Sequence, residues 1–157
     1  MPTDSVTVHV DAPPEQVWAV LTDFAAYHEW NPFITGLRGR LETGARLRVE
    51  LSYADGRHTS FRPSLVSLKP AEELRWIAKL WFKGLFDGEH FFQLSAIDRN
   101  RTRLVQGENF SGLLVKLAAN TLTQNARGFV GMNAALKRRV ESQARSRTSA
   151  PRGREQP

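Results

Sequence analysis

The spacing of apolar residues changes along the chain, and the changes separate predicted strands from predicted helices. Residues 4–10 alternate, with valine at every second position from residue 6, which is typical of a strand with one buried face. The spacing then becomes helical, and the proline pair at 13–14 suits the first turn of a helix. A second short helix is predicted to begin at Asp23 and to be broken by the Asn31-Pro32 pair.

Period-two alternation returns after the second helix and is interrupted by turn signals. The strongest of these is Asp55-Gly56, a pair typical of hairpin turns. Pro63 lies inside one alternating stretch and indicates an edge strand or a bulge. We therefore predict an antiparallel meander, with strands at about 47–53, 58–68, 74–81, 86–97 and 102–110.

The last predicted element is a long helix over about residues 113–143. Gly128 and Gly131 each cost ~1 kcal/mol inside a helix, so they indicate close packing or a bend. The apolar stripe of this helix, in which Asn125 is the one polar member, consists of Val115, Ala118, Leu122, Asn125, Phe129, Met132, Leu136 and Val140.

The order of these elements predicts an α+β fold. A strand, two short helices, further strands and a long helix are accommodated by a strongly curved antiparallel sheet of about seven strands. The long C-terminal helix then buries its stripe in the concave face of the sheet, and the twist of the sheet supplies the curvature.

The composition indicates one folded domain followed by a basic tail. Of the 157 residues, 41% are hydrophobic, which is enough for a sizeable core. The net charge is +6, and residues 137–157 carry +5 of it, so the rest of the chain is nearly neutral. We predict a ligand-binding domain over residues 1–144 and a disordered tail over residues 145–157, which either increases solubility or binds anionic lipid or nucleic acid.

Several classes of function are excluded by what the sequence lacks. There is no cysteine, which excludes disulfides, thiolate catalysis and Fe–S clusters. The four histidines lie on separate predicted elements and no nucleotide-binding glycine motif occurs, so we expect neither a metal nor a cofactor. No apolar run approaches the ~20 residues that span a bilayer, and no signal peptide is recognisable. We expect a cytoplasmic protein, monomeric or homodimeric, without a nucleic-acid partner and with at most a peripheral membrane contact.

The segment DAPPEQVWAVLTDFAAYHEWNPF (residues 11–33) resembles the opening of the START-like, or Bet v 1-like, superfamily (SRPBCC), in particular its polyketide cyclase/dehydrase branch. Further matching pieces are Gly44, Pro70, GEHFFQL (88–94) and TRLVQGENFSG (102–112). The resemblance covers about residues 4–143 and implies a helix-grip fold, in which a seven-stranded sheet wraps around the final helix. It also implies a cavity for a lipid, a polyketide or another apolar molecule, in members that carry, sense or convert their ligands.

The turn between the last two predicted strands sets which of their residues lie opposite each other. If residues 98–100 form a three-residue loop, with Asn100 in the left-handed conformation, Ile97 pairs with Arg101. Side chains that are directly opposed have Cβ atoms ~4.5–5.5 Å apart, within reach of each other. A slip of one residue would turn every side chain of this hairpin to the other face.

In this register His90 lies opposite Glu108, beside Gln106, and Leu94 pairs with Leu104. The leucine pair indicates that this face points inward, so the polar groups must bond each other, water or a ligand. Three interpretations stay open: a polar pair that fixes the register, contacts to a ligand, or general acid/base catalysis.

Two further polar residues are candidates for contact with a ligand. Asn125 in the helix stripe either bonds a ligand or water, or bonds a strand carbonyl or a neighbouring side chain. Arg62 points inward by parity with Val66 and Leu68 and would then hold a carboxylate or an enolate, unless a bulge at Pro63 leaves it exposed. The catalytic candidates are therefore His90, Glu108 and Arg62.

The aromatic residues either line a pocket or fill the core. The segment KLWFKGLF at 79–86 is a candidate entrance flap or interaction patch. The predicted ligand contacts are Tyr53, Trp76, His90, Phe92, Gln106, Glu108, Phe110, Leu122, Asn125 and Phe129.

Two functions centred on a cavity are consistent with these features, and a third is a membrane-peripheral interaction module that uses the 79–86 segment and the basic tail. The first is a carrier or sensor that encloses a small, largely apolar ligand between the sheet and the final helix. The second is a cofactor-free polyketide cyclase, aromatase or dehydratase that uses acid/base residues in the same cavity.

Overall fold

A computed structural model describes residues 3–80, 86–112 and 119–149. The helices are α1 (Pro14–Thr22), a 3₁₀ turn (Phe24–Ala26), α2 (Tyr27–Trp30) and α3 (Ala119–Ser149). The strands are β1 (Thr3–Val10), β2 (Ile34–Arg38), β3 (Arg48–Ser52), β4 (His58–Phe61), β5 (Ser64–Lys69), β6 (Glu73–Leu80), β7 (Phe86–Asp98) and β8 (Arg101–Ser111).

These strands form two antiparallel sheets that meet along one seam. The larger sheet has the order β1-β8-β7-β6-β5 and the smaller has the order β2-β3-β4. At the seam, the backbone N–H of Leu47 donates to the carbonyl of Pro63, and the N–H of Leu65 donates to that of Ala45. Together the sheets form one curved surface, on whose inner side α3 lies.

The helix-grip architecture predicted from the sequence is confirmed, with one difference in the number of strands. The alternating stretch at 58–68 forms two strands, because Pro63 has no N–H to donate to a ladder and separates β4 from β5. The apolar stripe of α3 is buried where the structure describes its side chains: Phe129, Met132 and Leu136 have no exposed area. Asn31 ends α2 as a turn residue, since its side-chain oxygen accepts the N–H groups of Phe33 and Ile34.

The predicted register of the β7–β8 hairpin is confirmed, although the predicted turn is wrong. Ile97 does not pair with Arg101, because Asp98 does, and a bulge between Ala96 and Asp98 restores the register along the rest of the hairpin. The turn contains two residues, and Asn100 is not among the described residues with a positive φ. The side chain of Asp98 holds this turn by accepting the N–H of Asn100.

The final helix is longer at its C-terminal end than predicted, and some of the predicted segments lie outside the described residues. Helix α3 continues to Ser149, so its last turns occupy the first five residues of the segment predicted to be a disordered tail. Residues 150–157 lie outside the described residues, as do residues 81–85 of the predicted entrance flap and residues 113–118 of the predicted helix.

An ion-pair network covers the outer face of the larger sheet. The carboxylate of Glu73 accepts hydrogen bonds from Ser67 (2.7 Å) and from the guanidinium of Arg75 (2.9 Å). Arg75 also pairs with Glu89 and lies 5.2 Å above the ring of Phe91. The bonds from Arg75 and Ser67 outweigh the cost of burial and lower the pKa of Glu73 to about 2.

Glu73→Gln is expected to lower the free energy of unfolding at pH 7 by about 1–2 kcal/mol, because two bonds to a charged acceptor are weakened. The ordinary pKa of a glutamate is 4.5, so the folded state binds its proton at lower pH than the unfolded state. The stabilisation by the carboxylate is therefore complete at a pH well above 4.5 and is lost as the pH falls towards 2. Urea unfolding of both proteins at pH 7, 4 and 2.5 measures this, and a difference that did not narrow with falling pH would contradict it.

Candidate functional site

The candidate site is built on neighbouring rows of side chains across strands β6, β7 and β8. Trp76 pairs with His90, and His90 pairs with Glu108, so these three side chains form one row on the inner face. The neighbouring row on one side consists of Ala78, Gly88 and Phe110. The neighbouring row on the other side consists of Leu74, Phe92 and Gln106.

Aromatic contacts hold His90 on three sides. The indole of Trp76 stacks on the imidazole with centroids 4.9 Å apart and planes 16° apart. The rings of Phe92 and Phe129 meet the imidazole edge-on at 4.8 and 5.0 Å. The orientation of His90 is therefore determined by packing, and its side chain has only 6% of its area exposed.

A chain of polar contacts runs from the imidazole to Tyr53 at the edge of the smaller sheet. His90 Nδ1 lies 3.5 Å from Glu108 Oε1. The other carboxylate oxygen of Glu108 accepts a hydrogen bond of 2.9 Å from Asn125 Nδ2, and Asn125 Oδ1 accepts one of 3.2 Å from the Tyr53 hydroxyl. Burial, followed by the charge of Glu108, raises the pKa of Tyr53, which keeps the phenol protonated as the donor of this chain.

Gln106 contacts the ring nitrogen of His90 that faces away from Glu108. Its amide Nε2 lies 3.2 Å from His90 Nε2 and also donates to the sulfur of Met132 at 3.3 Å. In this orientation of the amide, Gln106 Nε2 donates to His90 Nε2, which places the proton of a neutral imidazole on Nδ1 and leaves Gln106 Oε1 without a hydrogen-bond partner among the described residues. The Nδ1–H group is thus directed towards the carboxylate of Glu108.

An inner cavity of about 200 Å³ lies beside this chain, between the two sheets and α3. Both hydrogen-bonding side chains and aromatic rings line this cavity. We use the term inner cavity for the space lined by Leu51, Tyr53, Thr59, Ser60, Phe61, Trp76, Ala78, Gly88, His90, Glu108, Phe110 and Asn125.

Two small residues account for the space. Ala78 and Gly88 lie directly opposite each other in the row next to His90, and neither reaches into the concave side of the sheet. Both positions follow from strand alternation, because they lie two residues from Trp76 and from His90. They were not predicted as site residues, because an alanine or a glycine carries no functional group that marks it as part of a binding site.

Six of the predicted ligand contacts line the inner cavity: Tyr53, Trp76, His90, Glu108, Phe110 and Asn125. Phe92, Gln106 and Phe129 do not line it, because they are fully buried behind His90 and belong to the core or support the ring. The side chain of Leu122 lies outside the described residues. The residues of the smaller sheet that line the cavity, including Thr59 and Phe61, were missed because alternation within one strand does not show which sheet faces which.

Arg62 does not reach the site. It lies between β4 and β5 and is exposed, which is the alternative that a break at Pro63 predicts. The prediction that Arg62 points inward and stabilises an enolate is therefore wrong. Within the described ranges, His, Asp and Glu side chains form no group of three or more that would hold a metal ion.

The geometry defines a helix-grip protein with a small, aromatic-lined cavity beside a buried His90 and a partly exposed Glu108, and the comparisons agree with that class. The sequence pattern of the family described as polyketide cyclase / dehydrase and lipid transport matches residues 1–145. The chain belongs to this family. No curated protein sequence matches the chain.

Solved structures share the fold at low sequence identity. The Zhui aromatase/cyclase from Streptomyces sp. R1128 is 19% identical, with 95% of this chain and 99% of that one covered and a TM-score of 0.76. A START superfamily protein from Mycobacterium smegmatis is 25% identical, with 90% and 98% covered and a TM-score of 0.63. The di-domain aromatase/cyclase StfQ from the steffimycin pathway is 14% identical, with 94% and 52% covered and a TM-score of 0.63.

The family match and these structures together identify a polyketide cyclase-like helix-grip fold. Among the helices that the structure describes, none is both long enough and apolar enough to cross a membrane.

Proposed function

We propose that the protein binds a small, largely apolar molecule with at least one hydroxyl or other hydrogen-bond donor in the inner cavity. The observation that carries this proposal is an aromatic-lined cavity with the Glu108 carboxylate facing into it. The lining offers acceptors on Glu108 and Asn125, while Trp76, Phe61 and Phe110 offer apolar contact.

The size of the cavity indicates a small ligand. Typical ligand pockets measure about 300–1,000 Å³, and the inner cavity is smaller. Burial of ~200 Å² of apolar ligand surface contributes ~5 kcal/mol before ordering costs, at about 25 cal/mol per Å². Burial therefore provides most of the affinity, and the polar chain selects among apolar molecules by orienting the one that donates to Glu108.

Ala78→Leu is expected to weaken binding of a naphthol probe to the inner cavity by at least about tenfold, because the larger side chain occupies the space beside His90. Fluorescence titration measures the affinity, and thermal unfolding shows whether the variant is folded. Ala96→Leu is the matched control: Ala96 lies on β7 and is exposed, so the same substitution there leaves the affinity unchanged.

Equal naphthol affinity in wild type, Ala78→Leu and Ala96→Leu, with all three folded, would contradict the proposed cavity. Native mass spectrometry of freshly purified protein provides a second test. A co-purified apolar molecule whose mass is absent from the Ala78→Leu sample supports the proposal.

A second candidate is acid–base catalysis of a cyclisation or dehydration in the same cavity. The separation of 3.5 Å between His90 Nδ1 and Glu108 Oε1 favours it, together with the structural similarity to two aromatase/cyclase proteins. Glu108 would accept a proton from an acidic C–H or O–H group of the substrate. The Nδ1–H group of His90 would position that carboxylate, and no cofactor would be required.

A further inference from the structure

A second pocket lies on the other side of Tyr53, between the β3–β4 turn and the exposed face of α3. Its volume is about 310 Å³, larger than that of the inner cavity. We use the term outer pocket for the space lined by Pro32, Phe33, Ser52, Tyr53, Ala54, Asp55, Gln124, Arg127, Gly128 and Gly131.

Flat apolar walls form most of the outer pocket. The rings of Phe33 and Tyr53 meet edge-on, with centroids 5.8 Å apart, and Pro32 adds a further apolar surface. Gly131 presents no side chain, and a Cβ atom there would meet only Pro32 Cγ at 3.7 Å. The space over this turn of α3 is thus available to a ring or a short chain.

One acidic and one basic residue, Asp55 and Arg127, line the outer pocket. Asp55 lies in its wall, but Arg57 neutralises it through a salt bridge of 2.8 Å. Arg127 projects from the exposed face of α3 at the rim, and no acidic side chain of the described residues forms an ion pair with it. The guanidinium of Arg127 is therefore the uncompensated charge of the pocket.

The charged residue that lines the inner cavity is an acid. Glu108 lines it, and no lysine or arginine is among its described lining residues. An organic anion would meet a carboxylate in the inner cavity and a guanidinium at the outer pocket, so the two spaces discriminate between ligands by charge.

We propose that the outer pocket is a second binding site, separate from the proposed function of the inner cavity, for an aromatic organic anion. The apolar rings of the ligand lie against Tyr53 and Pro32, above the small accessible part of the buried Phe33 ring. Its carboxylate or sulfonate pairs with Arg127, whose planar guanidinium suits a two-oxygen anion.

The test uses two naphthalene probes of similar size with the full chain at low ionic strength. The first is the anion 1-anilinonaphthalene-8-sulfonate and the second is the neutral N-phenyl-1-naphthylamine. Arg127→Gln is expected to weaken binding of the anion about three- to fivefold, the upper part of the range that an exposed ion pair supports, and to leave the neutral probe within twofold. The effect shrinks in 0.5 M salt, because salt screens the pair.

Arg138→Gln is the matched control, since Arg138 is exposed on the same helix and does not line the outer pocket. The affinity of the Arg138→Gln variant for the anion should equal that of the wild type. Equal losses in Arg127→Gln and Arg138→Gln would show only a general effect of net charge and would overturn the proposal.

Gly131→Leu tests the pocket itself without removing a charge. The leucine side chain occupies the space over Pro32, and we expect about tenfold weaker binding of the anion with no loss of thermal stability. Ala78→Leu, which fills the inner cavity, is expected to leave binding of the anion unchanged. Unchanged binding of the anion by Gly131→Leu would overturn the second site. Unchanged binding of naphthol by Ala78→Leu would overturn the proposed function instead, so the two failures are distinguishable.

Discussion

Gly128→Ala is expected to destabilise the protein by about 1–3 kcal/mol, while Gly131→Ala, three residues further along α3, is expected to stabilise it by up to ~1 kcal/mol. A Cβ atom at Gly128 would overlap three atoms of the Phe33 ring. That ring is buried and is held by edge contacts to Tyr53 and Phe129, so it has little freedom to move away.

The pair of substitutions separates helix propensity from packing. Both replace glycine by alanine in the same helix, so the gain in propensity is similar, and only the contact with Phe33 differs. Urea unfolding of the two variants measures the difference. Equal changes of stability in both would show that α3 does not pack on Phe33 as the structure describes.

The largest expected effect on a rate concerns Glu108. If the protein catalyses turnover of a poly-β-ketone mimic, Glu108→Gln is expected to lower kcat by about 10²–10⁴-fold and to change the affinity by less than about threefold. Glutamine has nearly the same shape and still accepts the hydrogen bond from Asn125, but it is not a base. His90→Phe keeps the stacking on Trp76 and removes the Nδ1–H group, so it should lower kcat as well.

Glu89→Gln is the control for this experiment. Glu89 neighbours His90 in sequence but points to the opposite face of the sheet, where it pairs with Arg75, so the rate should not change. Absence of turnover by the wild type across several mimics, together with tight binding of the same mimics, would contradict catalysis and leave the binding function.

The pairing of His90 with Glu108 was predictable because it depends on local properties. Alternation determined which residues share a face, and the turn residues at 98–100 restricted the register of the hairpin. The turn itself was predicted incorrectly, yet the register was not affected, because the bulge before Asp98 adds the residue that the shorter turn removes.

The identity of the ligand contacts was predictable only in part. Phe92 and Phe129 have the residue type and parity expected for a cavity wall, but they are fully buried against His90. Whether an inward aromatic ring lines a cavity or fills the core depends on what lies across from it, and that partner belongs to another element far along the chain.

The sequence by itself determined the elements, the fold class and the row that joins His90 to Glu108, since alternation, helical spacing and turn chemistry act between residues close together in the chain. Only the tertiary structure decided where empty space remains. The inner cavity requires Ala78 and Gly88 on one sheet to face Phe61 and Leu51 on the other, and the outer pocket requires Gly131 to lie near Pro32. A cavity is volume that no side chain fills, so it depends on the distances between distant segments, which a sequence pattern does not contain.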